Sequence, residues 1–472
     1  MNKLPNIKTH FADWYQSVVY DAELADQTPV RGCMVIRPYG YAIWERMQHI
    51  LDLQFKKLGI QNAAFPLLIP LSFLQKEKEH VEGFAPEVAV VSHAGGKELE
   101  EPLVVRPTSE TIIHTMFARW IHSWRDLPLK INQWCSVVRW EMRPRPFLRT
   151  SEFWWQEGHT AHETEEEARR MAEQMHQLYR VFMEEYLAMP VIAAAKPPHE
   201  RFAGADETFT LEGCMQDGKA LQMGTSHLIS QDFARAFGIT FQNRQEGISY
   251  PFLTSWGVST RMIGGMIMTH GDQKGLIIPP KIAPVQVVII PIFKAENRER
   301  VLEATRELAK QLHQVARITV DESDTETPGA KFYRWELKGV PLRVEIGMRD
   351  IDAGTVTVVD RPEGVKRLIQ WTQVEQTVED LLVEIQQKLF EKAKEHRAAQ
   401  WVVTDETLAQ FGHRLAENNG FYEVGWSGDE KAIVALKEFG GTIRCVLPTH
   451  QRKRCFYNGS ESRYDIVVAK AY

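Results

Sequence analysis

The stretch RWEMRPRPFLRTSEFWWQEGHTAH, residues 139–162, decides how the rest of the chain is interpreted. VVRWEMR, residues 137–143, alternates apolar and charged side chains, which predicts a half-buried strand. SEFWWQEG, residues 151–158, is rich in aromatic residues and predicts a second strand. Pro144 and Pro146 lie between them and interrupt strand and helix alike. The stretch therefore predicts a hairpin with a long loop that carries arginines.

The arginines of this hairpin indicate an anionic ligand. A guanidinium group binds phosphate oxygens through a planar fork of N–H donors. A hairpin that places Arg139 and Arg149 around one cavity, with Phe153 as a flat apolar surface, suits a nucleoside triphosphate. The alternative is a surface hairpin with ordinary salt bridges, and composition alone favours that alternative.

Length and composition are those of an ordinary soluble globular protein. The chain has 472 residues, enough for two or three domains, with 44% hydrophobic and 25% charged residues. Its net charge of −6 gives no global basic field, so a nucleic acid would meet local patches. Scattered cysteines without a CxxC pair predict reduced thiols. The N-terminus lacks a signal-peptide core and no apolar run is of membrane-spanning length, so we expect a cytoplasmic protein without a membrane segment.

A helix start at residues 107–110 carries the first further candidates. Pro107 and Glu110 are normal helix-start residues, and Thr108 and Glu110 could serve only as caps. Beside a cavity, Glu110 could instead pair with a substrate ammonium group, and Thr108 could accept its remaining hydrogen bond. The sequence leaves both interpretations open.

Two later segments add polar residues to elements that are otherwise apolar. In ALQMGTSH, residues 220–227, Gln222 and Thr225 could meet a nucleotide and His227 could border an amino acid, although a lone histidine is more often structural. Gly224 would let a ligand approach the backbone. Arg261 lies in the first turn of a predicted helix, where a cation opposes the helix dipole. That position predicts an anion facing Arg261.

The remaining patterns predict the scaffold. They indicate a strand at 31–38, a helix at 39–58, a buried edge or interface strand at 63–74 and a helix at 164–189 that is capped by Thr164. Residues 285–394 alternate strands and helices, which predicts a small parallel α/β domain. Residues 401–472 form a third piece.

These motifs together resemble class II aminoacyl-tRNA synthetases, and most closely the prolyl-tRNA synthetases of the archaeal/eukaryotic type. The hairpin resembles motif 2, the segment around Arg261 resembles motif 3, and the helix and strand over 39–74 resemble motif 1, the dimer interface. Thr108–Glu110 and QMGTSH resemble the substrate-binding segments of the prolyl enzymes. The resemblance covers nearly all of the sequence.

The resemblance implies a fold and domain organisation. We expect an α+β catalytic domain with an antiparallel sheet at 1–280, an α/β anticodon-binding domain at 281–395 and a small α+β C-terminal domain at 396–472. It also implies a homodimer. No editing insertion fits between the hairpin and Arg261.

The resemblance further implies ligation of L-proline to tRNA(Pro) through prolyl-adenylate, with ATP and Mg²⁺. Arg139 would bridge the proline carboxylate and the α-phosphate, and Arg261 would bind an outer phosphate. The implied ATP site comprises Arg139, Glu141, Arg149, Thr150, Phe153, Gln222, Thr225 and Arg261. The implied proline site comprises Thr108, Glu110, Arg139, Trp155, His159, His227 and Ser259.

The C-terminal half carries two further implications. Arg343, Glu345 and Arg349 alternate along one predicted strand and its exit. Guanine offers hydrogen-bond acceptors to arginine and donors to a carboxylate. The resemblance therefore implies that these three residues contact the anticodon. Archaeal-type relatives carry a four-cysteine zinc site in the last domain. The matching positions here are Ser427, Ala432, Cys455 and Asn458, and because one thiolate is too few, we predict no metal.

Two alternatives remain open from the sequence. One is a sister class II synthetase for threonine, glycine or histidine. The other is a non-catalytic, synthetase-like RNA-binding or regulatory protein, although Arg139, Glu141, Arg149, Phe153 and Arg261 are all present.

Overall fold

The computed structural model describes residues 4–74, 88–229 and 231–472. The helices that matter here are α1 Phe11–Asp21, α2 Pro38–Lys57, α3 Glu110–Trp120, α4 Glu165–Glu185, α5 Gln231–Ala236, α6 Arg261–His270, α7 Arg298–Leu312, α8 Pro328–Leu337, α9 Met348–Ala353, α10 Val374–Ala399, α11 Leu408–Glu417 and α12 Lys431–Glu438.

The first half of the described chain contains strands β1 Ala25–Gln27, β2 Met34–Ile36, β3 Gln61–Asn62, β4 Leu68–Pro70, β5 Ala89–Ala94, β6 Lys97–Val105, β7 Leu129–Val138, β8 Glu152–His162, β9 Val191–Ala195, β10 Ala205–Cys214, β11 Ala220–Ile229, β12 Phe241–Gln242, β13 Ile248–Ser249 and β14 Phe252–Ser259. The second half contains β15 Val287–Ile292, β16 Ile318–Val320, β17 Leu342–Gly347, β18 Thr355–Asp360, β19 Lys366–Gln370, β20 Trp401–Val403, β21 Phe421–Trp426, β22 Thr442–Val446 and β23 Tyr464–Ala469.

The predicted hairpin is formed by β7 and β8, which pair antiparallel from Leu129↔Ala161 to Val138↔Glu152. Strand β7 ends at Val138, so the prediction of a strand over 137–143 is wrong for residues 139–143. Arg139 still donates its backbone N–H to the Ser151 carbonyl, and beyond it the chain turns into the loop that contains the prolines. The loop thus begins at the first arginine.

The central sheet is mainly antiparallel, as predicted for the catalytic fold. Its order is β20-β21-β23-β22-β9-β10-β11-β14-β8-β7-β3, and only β20–β21 and β3–β7 pair in parallel. Helix α4 packs across β11 and β14, and its buried face includes Met175, Tyr179 and Met183. The Thr164 hydroxyl caps this helix by accepting from the Glu167 N–H. Helix and sheet together enclose the largest apolar core.

Close packing of one glycine against one tryptophan fixes the middle of this sheet. A Cβ atom at Gly158 would lie 2.1–2.2 Å from three atoms of the Trp256 ring. The two residues are direct partners on β8 and β14, and Trp256 is almost fully buried. No larger residue fits at position 158 without moving the indole ring.

The C-terminal strands β20–β23 extend the central sheet, which the sequence did not predict. Strand β22 joins β9 through one backbone pair, Val446↔Ala195. The last residue, Tyr472, donates its N–H to the Ala220 carbonyl and its hydroxyl to Asp217 at 2.6 Å. The third piece is therefore continuous with the region that contains the hairpin.

A second sheet, β16-β15-β17-β18-β19, belongs to the α/β segment. Strand β15 pairs in parallel with β16 and β17, whereas β17–β18 and β18–β19 are antiparallel. The prediction of a parallel domain is therefore wrong for two of its four pairings. The short connections after β17 and β18 allow antiparallel neighbours, since a parallel pairing needs a longer crossover.

Two N-terminal predictions also need correction. The strand predicted at 31–38 is only β2, three residues long. The run 63–74 contains only the short strand β4, and Leu67 and Leu68 are 47% and 41% exposed in the single chain rather than buried. The prolines of this run explain the short pairing, because they lack an N–H donor.

None of the helices in the described ranges is both long and apolar enough to cross a membrane.

Candidate functional site

A cavity of about 310 Å³ opens on the central sheet, where β8, β10, β11 and β14 face the start of α3 and the start of α6. Eleven of the residues predicted for the ATP and proline sites line it: Thr108, Glu110, Arg139, Phe153, Trp155, His159, Gln222, Thr225, His227, Ser259 and Arg261. These residues come from five separate segments of the chain. The fold brings them together on one face of the sheet.

The other three predicted ATP-site residues line an adjoining cavity of about 240 Å³. Glu141, Arg149 and Thr150 lie there, in the loop between β7 and β8. Arg139, Phe153, Ser259 and Arg261 line both cavities and so mark their junction. The two cavities together offer an elongated space of the kind that a nucleotide joined to a second substrate would need.

Arg139 is held in place by one hydrogen bond and by two aromatic rings. Its Nε donates to the Pro107 carbonyl at 2.9 Å. Its Cζ lies 5.2 Å from the Trp155 ring centroid and 5.6 Å from that of Phe153. The Arg139 side chain is nevertheless solvent-exposed, so its terminal N–H groups can reach a ligand. Stacking orients the guanidinium group without using up those donors.

Arg261 lies close to two other cations, Arg149 and Arg139. Its Nε donates to the Leu148 carbonyl at 3.0 Å and its side chain also reaches the Gln222 carbonyl at 3.3 Å. Burial, with smaller contributions from Arg149 and Arg139, lowers the pKa of Arg261 to about 10. Three guanidinium groups of like charge thus converge, and a bound polyanion would remove their repulsion. This arrangement fits the anion predicted opposite Arg261.

Arg149 and Glu141 form a pair at the rim of the second cavity. The Nε of Arg149 lies 3.6 Å from Oε2 of Glu141, and Arg149 is mostly exposed. The other Glu141 carboxylate oxygen accepts from the Arg143 backbone N–H at 2.8 Å. The Thr150 hydroxyl donates to the Glu152 carbonyl at 2.7 Å. Exposed pairs of this kind exchange partners at little cost when a ligand arrives.

The end of the large cavity is lined by buried polar groups around Glu157, which the sequence analysis did not select. Its carboxylate accepts from the Ser109 hydroxyl, from Nε2 of Gln133 at 2.9 Å and from the Cys135 thiol at 3.5 Å, and it faces Nε2 of His159 at 3.1 Å. Although burial opposes it, the hydrogen bond and charge of His159 hold the pKa of Glu157 below its ordinary value. The only signal available from sequence was its alternation with Trp155 and His159 on one strand.

The pKa of His159 is shifted in the opposite direction. Burial acts to lower its pKa, but the hydrogen bond with Glu157 and the charge of Glu110 raise it above the ordinary value. Glu110 itself is 4% exposed and accepts a hydrogen bond from the Thr108 hydroxyl. Because a hydroxyl can donate and accept at once, Thr108 retains acceptor capacity.

His227 lies on β11 across the cavity. Its Nδ1 is 3.0 Å from the Thr208 hydroxyl, and its ring centroid is 4.7 Å from that of Phe202. Burial, with a smaller contribution from His159, lowers the pKa of His227 to about 3. This ring is therefore neutral at physiological pH and borders the cavity as an uncharged surface.

Gly224 lines the cavity, and its missing side chain also matters for packing. A Cβ atom there would lie 2.8 Å from the Val258 side chain and 3.4 Å from Met183 of α4. The absent side chain thus permits packing of α4 and β14. Gln222 and Thr225, on either side, do line the cavity as predicted.

Among the described residues, Glu110, Glu157 and His159 are the one group of three side chains whose ligand atoms lie close enough to hold a metal, within 4.8 Å of one another. Against the effect of burial, the hydrogen bond with Glu157 raises the pKa of His159. A protonated imidazole cannot bind a metal, so this group does not fit a resident metal. Of the four positions matched to the zinc site, Cys455 accepts a hydrogen bond from the Ser427 hydroxyl at 3.3 Å and Asn458 contacts Asp429. The absence of zinc remains a prediction.

The three residues predicted for the anticodon do not share one strand. Arg343 donates to Glu345 at 2.9 Å on β17, and its guanidinium group lies 4.3 Å from the Phe332 ring centroid. Glu345 is 8% exposed. Arg349 is exposed in helix α9, which begins directly after β17, and the contact of these three residues with the anticodon stays a prediction. The chain turns at Gly347, whose N–H donates to the Asp350 side chain and starts α9.

Comparison with known proteins agrees with this geometry. The family described as "tRNA synthetase class II core domain (G, H, P, S and T)" matches residues 91–270, and that described as "Anticodon binding domain" matches residues 286–381. Proline–tRNA ligase 2 of Clostridioides difficile is 48% identical over 100% of this chain and 98% of its own length. Proline–tRNA ligase of Acetoanaerobium sticklandii is 49% identical over 99% of this chain and 98% of its own length.

A solved structure agrees over almost the whole chain. It is a prolyl-tRNA synthetase from Cryptosporidium parvum, complexed with halofuginone and AMPPNP, with a TM-score of 0.93. The identity is 39%, and the match covers 99% of this chain and 96% of the other. Full-length identity at this level, together with the class II core, shows the family. The chain belongs to the class II prolyl-tRNA synthetases.

Proposed function

We propose that this chain ligates L-proline to tRNA(Pro), using ATP and passing through prolyl-adenylate. One observation supports this most directly. Arg139 and Arg261, from distant segments, line one cavity that is also lined by Glu110, Glu157 and His159. The cations suit a triphosphate, and the buried carboxylates suit a substrate ammonium group.

The ATP site would use residues of both cavities. Arg139 would bridge the amino-acid carboxylate and the α-phosphate, while Arg149 and Arg261 would bind outer phosphates. Phe153 would stack on adenine and Glu141 would accept from its amino group. Thr150, Gln222 and Thr225 complete the predicted site. Mg²⁺ would enter as part of the substrate, held by phosphate oxygens and water.

The proline site would lie beside Trp155. The secondary ammonium of proline carries two N–H donors. One can donate to the Glu110 carboxylate, and the other can donate to the Thr108 hydroxyl oxygen, which retains acceptor capacity. Trp155, His159, His227 and Ser259 would bound the ring.

Both chemical steps are substitutions without a protein nucleophile. A carboxylate oxygen of proline attacks the α-phosphorus of ATP, and pyrophosphate leaves. A terminal ribose hydroxyl of the tRNA then attacks the carbonyl carbon, loses its proton, and AMP leaves. The protein contributes by holding the reactants together and by neutralising phosphate charge.

The proposal extends to domain organisation, assembly and the anticodon contact. We propose the domain bounds 1–280, 281–395 and 396–472, the archaeal/eukaryotic type, a zinc-free last domain and a cytoplasmic homodimer without an editing domain. The exposed Leu67 and Leu68 suit coverage by a second copy. The similar length of the relatives suits the lack of an insertion. Arg343, Glu345 and Arg349 would contact the anticodon.

Amino-acid-dependent ATP–pyrophosphate exchange tests the function. We expect wild-type exchange with proline and none with threonine, glycine or histidine. Arg139→Ala should reduce it by about 100-fold or more, since a contact to both reactants is lost. Arg143→Ala, an exposed arginine of the same loop outside the predicted site, is the control and should exchange normally.

Two outcomes would overturn the proposal. Exchange with threonine, glycine or histidine instead of proline would indicate a sister synthetase. Absence of exchange with any amino acid, in a protein that still binds tRNA, would indicate a non-catalytic relative. The names of the relatives favour neither.

A further inference from the structure

A network of four charged side chains, three of them buried, lies at the cavity wall, where the C-terminal strands join the central sheet. Glu212 of β10 is fully buried, Lys196 after β9 is 4% exposed and Arg444 of β22 is 8% exposed. Lys196 and Glu200 of this network also line the cavity. Nothing in the sequence analysis selected any of the four.

The contacts within the network are close. Nζ of Lys196 lies 3.0 Å from Oε1 of Glu212 and 3.1 Å from Oε2 of Glu200, and it donates to the Arg444 carbonyl at 3.0 Å. Arg444 donates to Oε2 of Glu212 through Nε at 3.2 Å and through its terminal nitrogen at 2.9 Å. Each cation thus meets Glu212, and two cations balance two carboxylates.

Arg444 is the one member that comes from the C-terminal segment. The backbone joins β9 to β22 through one pair, and the Arg444 side chain adds two hydrogen bonds to Glu212 near that junction. Removing it would leave one net negative charge behind the cavity wall, where water cannot screen it well.

That charge would lie within electrostatic reach of the phosphate-binding end. Burial, Arg149 and Arg139 have the largest effects on the pKa of Arg261, and Glu212 then acts to raise it and Arg444 to lower it. ATP carries several negative charges, whereas proline is a zwitterion without net charge. An uncompensated Glu212 would therefore weaken ATP binding and leave proline binding nearly unchanged.

We propose that Arg444 is a positioning residue for the reaction: it neutralises Glu212 behind the cavity wall and so keeps the phosphate-binding end favourable for ATP. This role rests on the proposed function. It makes ATP use depend on a residue of the C-terminal strands that does not line the cavity.

Four variants separate charge from packing in the exchange assay. Arg444→Met should raise KM for ATP about tenfold or more, with KM for proline changed less than about twofold. Glu212→Gln in the Arg444→Met background should bring KM for ATP back to within about threefold of wild type, because the unpaired charge is gone. Glu212→Gln alone should not raise KM for ATP. Arg444→Lys, which keeps a cation, should have a KM for ATP within about threefold of wild type.

A pH series gives a readout that packing alone would not move. Arg444, then Lys196, hold the pKa of Glu212 below its ordinary value against the effect of burial, so the pKa rises when Arg444 is lost. The other groups that face Glu212 are Glu200 on the turn after β9, Cys445 on β22 and Arg261 on α6. As the pH falls towards the raised pKa of Glu212, the ratio of KM for ATP between Arg444→Met and wild type should decrease.

Arg414→Met is the matched control, because Arg414 forms a surface ion pair with Glu406 in the same C-terminal segment. This variant should leave KM for ATP and KM for proline unchanged.

Equal rises in both KM values without rescue by Glu212→Gln, or a rise in KM for ATP in Glu212→Gln alone, would overturn the role of Arg444. If Arg444→Met does not fold, KM for ATP in the single variants Glu212→Gln and Arg444→Lys still tests the role of Arg444. Wild type that fails to exchange with proline would instead overturn the proposed function.

Discussion

Nε2 of His159 lies 3.1 Å from Oε2 of Glu157 at the buried end of the cavity, where the two side chains are 1% and 4% exposed. The pKa of His159 is raised and that of Glu157 is lowered, so the pair favours the charged state of both groups. A buried pair of this kind is costly to break, because the remaining charge has no partner. Stability should therefore depend on pH through this contact.

Glu157→Gln should lower the free energy of unfolding by about 3–5 kcal/mol near pH 6. A histidine whose folded pKa is raised stabilises the fold fully below its unfolded pKa and loses that contribution as the pH rises through the folded pKa. The difference in Tm between wild type and Glu157→Gln should thus be largest near pH 6 and smaller at pH 9. Thermal unfolding at pH 6, 7.5 and 9 measures it, and a difference that grows with pH would contradict the assignment.

Arg261→Met should separate stability from activity. Loss of two hydrogen bonds to carbonyls is offset by removal of a charge that faces Arg149 and Arg139, so the free energy of unfolding should change by less than about 1 kcal/mol. Proline-dependent exchange should fall about 100-fold or more. The rise in Tm on adding a non-hydrolysable ATP analogue should also vanish.

The control for that variant is Arg235→Met. Arg235 is an exposed arginine over the Tyr250 ring, and its loss should preserve both exchange and the ligand-induced rise in Tm. Retention of the ligand effect in Arg261→Met would show that Arg261 does not bind ATP.

Gly158→Ala should destabilise the central sheet by about 2–3 kcal/mol, because the new Cβ overlaps the Trp256 ring. Gly329→Ala in α8 is the matched control, since no atom outside its own helix backbone and adjacent residues lies within 4 Å of a Cβ there, and its stability should be unchanged or slightly higher. Urea unfolding of both variants measures this. Equal stability of the two would show that Trp256 can move aside freely.

Arg349→Ala should raise KM for tRNA about 5- to 50-fold without changing proline-dependent exchange, because the exposed side chain is predicted to contact the anticodon and lies outside the cavity. Aminoacylation and exchange assays on the same preparation separate the two steps. Arg306→Ala, which removes an exposed ion pair with Glu322, is the control. An unchanged KM for tRNA in Arg349→Ala would remove that residue from the anticodon contact.

Arg343→Ala should behave differently from Arg349→Ala. It leaves the mostly buried Glu345 without its nearest cation, so Tm should fall together with tRNA use. A Tm equal to that of wild type would show that Lys366, 3.5 Å from Glu345, suffices as a partner.

Local patterns were enough to predict much of this protein. Aromatic content predicted β8, helical spacing predicted α2 and α4, and Thr164 was identified as a cap. The motif 2 and motif 3 resemblances led to the family that the comparisons show. These signals lie within short stretches of chain, so neighbouring residues suffice to specify them.

The tertiary structure alone decided which polar groups meet. Glu212 and Arg444 are 232 residues apart, and Glu157 is reached by Ser109 and Gln133 from other elements. Such contacts depend on strand order and register, which no local pattern encodes, and burial then makes each pair far stronger than the same residues would be in water. The sequence by itself determined the chemical groups and their local elements. Packing of distant strands decided which charges lie together and which are left free for a ligand.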